Sequence, residues 1–181
     1  MIMHNNLSQT RTSLDSLNQM LVRWTLTCLV SVCAIFAGAA YAQAPTKIML
    51  LGDSITYDDR IGKYSAFGER TAYRQPLWQL MSSSGYYVDF VGTRIAGQDV
   101  LPAFDPDNEG YPGKRDDEIA LIVYDLLIQN RPDVVLLHIG TNGVDPSSLD
   151  VERILDEIDR YEADYGATVT VFLARISNRG T

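Results

Sequence analysis

The sequence predicts an α/β domain in which a parallel sheet is covered by helices on both faces, a three-layer α/β/α arrangement. Three observations carry this reading. Short runs apolar on both faces recur and mostly end in glycine, stretches of helical spacing separate them, and no internal repeat or low-complexity segment interrupts the alternation. With 181 residues, 46% hydrophobic and 21% charged, the chain has the composition of one well-buried domain.

Lys47-Ile-Met-Leu-Leu51 reads as a buried strand, turned by Gly52. Residues 72–83 follow a helical period, with Leu77, Leu80 and Met81 on one side, and stop before Gly85. Tyr87-Val-Asp-Phe-Val91 is a second strand, closed by Gly92. Residues 115–129 carry Ile119, Ile122, Val123, Leu126 and Leu127 at amphipathic-helix spacing. Arg131-Pro132-Asp133 breaks that helix, and Val134-Val-Leu-Leu-His-Ile139 is the most apolar strand. Asp145-Pro-Ser-Ser148 opens a helix through Tyr165 whose Leu149, Ile154, Leu155, Ile158 and Tyr161 face inward. Gly166 stops it, and Thr168-Val-Thr-Val-Phe-Leu173 is a fourth strand.

The segment before this domain reads differently. From Leu26 to Ala40 the chain is almost wholly apolar or small, with Arg23 ahead and Ala40-Tyr41-Ala42 behind. A positive flank, an apolar run and an A-x-A end describe a secretory signal peptide cut between Ala42 and Gln43. The run is shorter than the roughly 20 residues of a membrane span. A start at Met20 gives the signal a more typical beginning than residues 1–19 do, and the rival reading keeps those residues as a cytoplasmic tail on an uncleaved anchor. The domain assignment is therefore 1–42 signal region and 43–181 one domain, secreted or periplasmic, with no membrane span after cleavage.

Cleavage removes Cys28, Cys33 and His4, leaving His138 as the sole histidine, so a zinc site of His and Cys ligands is excluded by count. The formal charge of −8 gives no support to a nucleic-acid partner. The connection from Gly92 to Lys114 is rich in proline and glycine, and an irregular stretch of that length is usually functional or disordered. Within it, Asp105-Pro-Asp-Asn-Glu-Gly110 followed by Asp116 has the outline of a calcium loop. Pro106, Glu109 and the lack of a preceding helix argue against that, and a solvated acidic loop is the simpler reading.

Chemistry concentrates at two strand ends. Gly52-Asp53-Ser54-Ile55-Thr56 places a serine on a glycine turn, where its hydroxyl can face the crevice. Gly140-Thr141-Asn142-Gly143 offers an amide, and the long loop delivers Gly110-Tyr-Pro-Gly113 between them. Ligands in such folds sit beyond the carboxyl ends of the strands.

Leu50-Leu-Gly-Asp-Ser-Ile-Thr56, Asp107-Asn-Glu-Gly-Tyr-Pro-Gly113 and Leu136-Leu-His-Ile-Gly-Thr-Asn142 resemble the first three blocks of the SGNH (GDSL-type) hydrolases. Tyr73-Arg74, Leu77-Trp78 and Gly85-Tyr-Tyr-Val-Asp-Phe-Val-Gly92 further resemble carbohydrate esterase family 3, the acetylxylan esterases. The resemblance runs from about Lys47 to the end of the chain. It implies a flavodoxin-like parallel sheet and a secreted serine ester hydrolase. Such an enzyme removes acyl groups, acetyl first among them, from carbohydrate or other small esters through an acyl-serine. It implies Ser54 as nucleophile. The Ser54 and Gly113 backbone N–H groups and the Asn142 side-chain amide would form the oxyanion hole. No metal or organic cofactor is implied.

Two departures stand out. Gly143 replaces the family's usual Asp, which alters loop geometry more than the donor set. The Asp-x-x-His block that supplies the family's base and its orienter, after a fifth strand, is not in the sequence, so the domain reads as lacking its last strand and helix. A sheet ending there leaves an edge that native proteins pair or protect, and a longer reading frame is expected. His138 sits inside an apolar strand and reads as a core histidine with a hydrogen-bond partner. Asp53 reads as a turn former. Arg74 reads equally as an exposed helix-start residue or as one that anchors the loop after the first strand or touches substrate. Tyr57, Tyr64, Phe67 and Tyr111 are candidate stacking faces for a sugar. The alternative function is a degenerate glycan- or ester-binding domain without the Asp-His pair. A phosphate- or nucleotide-binding flavodoxin-like domain would need a glycine-rich phosphate loop, and none occurs.

Overall fold

The computed structural model describes residues 43–59, 66–143 and 147–175. The signal region and Tyr64 lie outside them. The described elements are β1 (Thr46–Gly52), α1 (Ser54–Tyr57), a 3-10 turn (Phe67–Glu69), α2 (Arg74–Ser83), β2 (Val88–Val91), β3 (Arg94–Ile95), β4 (Asp107–Gly110), α3 (Asp116–Ala120), α4 (Val123–Asn130), β5 (Val134–His138), α5 (Leu149–Tyr165) and β6 (Thr170–Leu173).

One sheet runs in the order β3-β4-β1-β5-β6, and β2 also pairs with β1. β2 lies along the first four residues of β1, and β4 takes over opposite Leu51 and Gly52. All pairings are parallel except β3 with β4. Alternation along β1 sends Met49 and Leu51 to one face and Ile48 and Leu50 to the other. The first face packs with Val135, Leu137 and Ile139 against Ile119, Val123, Leu127, Ile154 and Ile158 from α3, α4 and α5. The second carries Phe90 and packs against Tyr73, Leu77, Trp78 and Met81 of the α2 segment, with Trp78 edge-on to Phe90 at 5.0 Å. Each such buried side chain contributes about 1.5–3 kcal/mol, which is what holds three layers together. The expected α/β/α architecture is the one observed.

Several elements differ from expectation. The connection from Gly92 to Lys114 contains β3 and β4, so Asp107–Gly110 is strand and the calcium-loop outline does not form. The single helix expected over 115–129 is two, α3 and α4. The break at Leu121-Ile122 leaves Leu121 83% exposed. Leu80 and Leu149, expected to face inward, are exposed. β6 reads as a buried strand but exposes Phe172 and Leu173; Phe172 lies beside Leu136 on the α2-side face, which no helix of the described residues covers at β6. No helix of the described residues is long and apolar enough to cross a membrane.

Candidate active site

Gly52 is the point where the three sequence blocks meet. In register it stands opposite Gly110 of β4 on one side and His138 of β5 on the other, and its carbonyl accepts the Tyr111 N–H at 2.8 Å. A Cβ at this position would lie 2.3 Å from Thr56 Oγ1 and 2.4 Å from the His138 carbonyl, so only glycine allows the approach. The chain turns at once into α1, whose first residue is Ser54. Fully buried Asp53 caps that helix: its carboxylate accepts the Ile55 N–H at 2.9 Å and the Thr141 hydroxyl. Asp58, in the left-handed region at φ 70°, ends α1 after one turn, leaving Ser54 half-buried at the strand end.

The second block is held from beneath. Four donors converge on the fully buried Glu109 carboxylate: Thr93 N–H at 2.6 Å, Thr93 Oγ1 at 3.0 Å, Tyr111 OH at 2.7 Å and Asn130 Nδ2 at 2.8 Å. Burial and that carboxylate push the Tyr111 phenol up to about 12. Asn108, also buried, accepts the Gly110 N–H at 3.0 Å and donates to the Pro106 carbonyl at 3.1 Å. Gly110 packs directly on the Tyr57 backbone. Beyond Tyr111, Gly113 takes φ +81° in open space, a conformation other residues adopt only with strain. The third block closes the set. Asn142 Nδ2 donates to the Lys114 carbonyl at 2.9 Å, which commits one amide hydrogen and leaves the second available.

The structure thus brings Ser54, Gly113 and Asn142 to adjoining strand ends. Thr141 bonded to Asp53 ties the first block to the third, and Asn142 bonded to Lys114 ties the third to the second. Asp53 is the turn former its sequence position suggested. Thr141 was not singled out from the sequence, and its hydroxyl next to Asn142 is the only local signal for it.

Arg74 is not an exposed helix-start residue. It is fully buried and donates to the carbonyls of Thr56 (2.9 Å), Arg70 (2.6 Å), Ala96 (2.9 Å) and Pro106 (3.1 Å). Burial pulls the guanidinium down to about 10, so it remains charged at neutral pH. Beside it the Tyr73 hydroxyl meets Thr56 Oγ1 at 3.2 Å, and burial raises that phenol. Arg74 therefore anchors α1 to the loops carrying Ala96 and Pro106.

His138 is the last residue of β5, a strand-end position, but among the described residues it lacks the expected partner at Nδ1. That nitrogen is buried, and the residue lines an apolar groove of about 390 Å³ with Tyr73, Leu77, Leu136 and Phe172. Among the described residues that setting supplies no polar orienter of the kind a general base uses. Among the sugar-facing candidates, Tyr57 is buried, Tyr111 is half-buried and Phe67 is 64% exposed. Among the described residues no group of His, Cys, Asp or Glu side chains is arranged to hold a metal ion.

Comparison with known proteins finds esterases similar to this chain in sequence and in fold. No protein-family model matches the chain. A multidomain esterase of Ruminococcus flavefaciens is 30% identical over 163 residues, 77% of this chain and 20% of that protein. A Clostridium thermocellum family 3 carbohydrate esterase is similar in fold, with a TM-score of 0.61 at 31% identity, covering 72% of this chain and 61% of that one. A family 3 carbohydrate esterase from Talaromyces cellulolyticus aligns with a TM-score of 0.51 at 26% identity, covering 70% and 60%. The chain spans about a fifth of the curated relative and three-fifths of these structures. The resemblance noted in the sequence holds in the fold as well.

Proposed function

From its likeness to the family 3 carbohydrate esterases in sequence and fold, we propose that this chain carries the nucleophile and oxyanion hole of a secreted serine ester hydrolase acting on acylated carbohydrate. The observation that carries the reading is the meeting of three blocks on Gly52, locked by the Thr141–Asp53 and Asn142–Lys114 bonds. Ser54 attacks the ester carbonyl, and the oxyanion is held by the Ser54 and Gly113 N–H groups and the second Asn142 amide hydrogen. Collapse expels the sugar hydroxyl and leaves an acyl-serine that water then hydrolyses. An acetyl group as the acyl is supported by a similar fold: an acetyl esterase serine-to-alanine mutant with an acetate ion, 26% identical at a TM-score of 0.50.

The general base falls on none of the described residues, and we assign it to an Asp-x-x-His block that this sequence does not contain. Two experiments test the proposal. Reading the coding DNA past the Thr181 codon is expected to reveal such a block within some tens of codons. The protein from that frame is then expected to hydrolyse 4-methylumbelliferyl acetate, and Ser54→Ala to abolish the activity. A stop codon directly after Thr181, or activity that survives Ser54→Ala, overturns the reading.

A further inference from the structure

We propose that Phe67 is a sugar-stacking residue that sets specificity for a pyranoside chain, an inference that rests on the carbohydrate esterase reading above. Phe67 exposes 64% of its surface, although the 3-10 turn that carries it is firmly held. Its carbonyl accepts the Gly97 N–H at 2.9 Å, and the next carbonyl, of Gly68, accepts the Asp99 N–H at 2.8 Å.

The ring ends a ladder in which aromatic rings and guanidinium groups alternate. Arg70 lies 4.8 Å from the Phe67 centroid and 5.4 Å from that of Tyr57. Arg94 lies 4.8 Å from Tyr57 and 5.0 Å from Tyr111. Arg70 is itself steadied by Asp59 at 3.1 Å, and Tyr57 meets Phe67 edge-on with centroids 6.5 Å apart. The two inner rings belong to the catalytic blocks. Tyr57 ends the one-turn helix that Ser54 begins, and Tyr111 leads to Gly113.

The ladder links the exposed Phe67 ring, through Arg70 and Tyr57, to the one-turn helix that Ser54 begins. Pyranose rings present flat arrays of C–H bonds that match the electron-rich face of an aromatic ring, whereas a small ester reaches only the serine. Phe67 would accordingly hold the sugar and leave the chemical step untouched.

The test compares wild type, Phe67→Ala and Phe67→Trp for binding of acetylated xylotetraose by calorimetry and for labelling of Ser54 by a fluorophosphonate. The expected result is about tenfold weaker sugar binding in Phe67→Ala, the size of one stacking contact, with affinity restored in Phe67→Trp and labelling equal in all three. Equal affinity in Phe67→Ala and wild type, or no binding by wild type, overturns the proposal. Binding that depends on Phe67 with no labelling of Ser54 in wild type would retain the stacking site and remove the hydrolase reading instead.

Discussion

Replacing Arg74 by methionine probes the link between the packed core and the serine. The substitution keeps most of the buried volume and deletes the guanidinium, together with its bonds to four carbonyls. Pro106 retains partners in the Ala96 N–H and Asn108 Nδ2, so the loss falls on Thr56, Arg70 and Ala96. A buried acceptor left unsatisfied costs about 1–3 kcal/mol, which places the sum at roughly 3–9 kcal/mol. Removing the desolvation cost of a buried charge offsets part of this, for a net destabilisation of about 3–5 kcal/mol. With a urea slope near 2 kcal/mol/M, the midpoint is expected to fall by about 2 M when followed by circular dichroism. Arg74→Lys keeps the charge but concentrates its donors at one point, and recovers less than half of the loss. Because one of the bonds ends on Thr56 in α1, turnover should fall along with stability. A shift below about 1 kcal/mol for both variants refutes the anchoring argument, since it would mean the four carbonyls find other partners.

Three further outcomes follow from the same geometry. Asn142→Ala removes the proposed oxyanion donor together with the tie to Lys114, and is expected to lower kcat about 10²–10³-fold with a modest fall in melting temperature, read by steady-state kinetics beside a thermal scan. Gly110→Ala forces a Cβ to within 2.7 Å of the Tyr57 N, with backbone and not a movable side chain in the way. It should cost about 1–3 kcal/mol by denaturation, the typical penalty of overpacking. Asp107 is raised above the usual carboxylate range by burial and then by Asp105, Asp89 and Glu109. The folded chain therefore holds that proton where the unfolded chain has lost it, and the group destabilises above its folded pKa and ceases to do so as pH falls toward 3.8. Asp107→Asn should accordingly melt higher than wild type near neutral pH and lose that advantage at about pH 3.5, compared by thermal melts.

What could be read from the sequence was whatever apolar period or glycine punctuation reported. β1, β2, β5, β6, α2 and α5 have apolar runs or stripes of the right period, and their glycine stops marked the strand ends where Ser54 and Asn142 lie. β4 escaped because its sequence, Asp-Asn-Glu-Gly, is polar throughout. Asn108 and Glu109 are nonetheless fully buried: Glu109 accepts from Thr93 and Asn130, and Asn108 accepts from Gly110 and donates to the Arg94 and Pro106 carbonyls, none of which an apolar pattern announces. Arg74 was ambiguous for a related reason. A charged residue at a helix start is usually solvated, and only the convergence of four carbonyls from separate loops makes its burial tolerable. The break between α3 and α4 sits inside an unbroken amphipathic stripe, so periodicity carried across it.

The account turns on Ser54 being an activated nucleophile, and covalent labelling addresses that directly. The protein expressed from its full reading frame, treated with a fluorophosphonate and analysed by peptide mass spectrometry, is expected to carry one adduct, on Ser54, absent from Ser54→Ala. An unlabelled protein, or an adduct on any other residue, would contradict it.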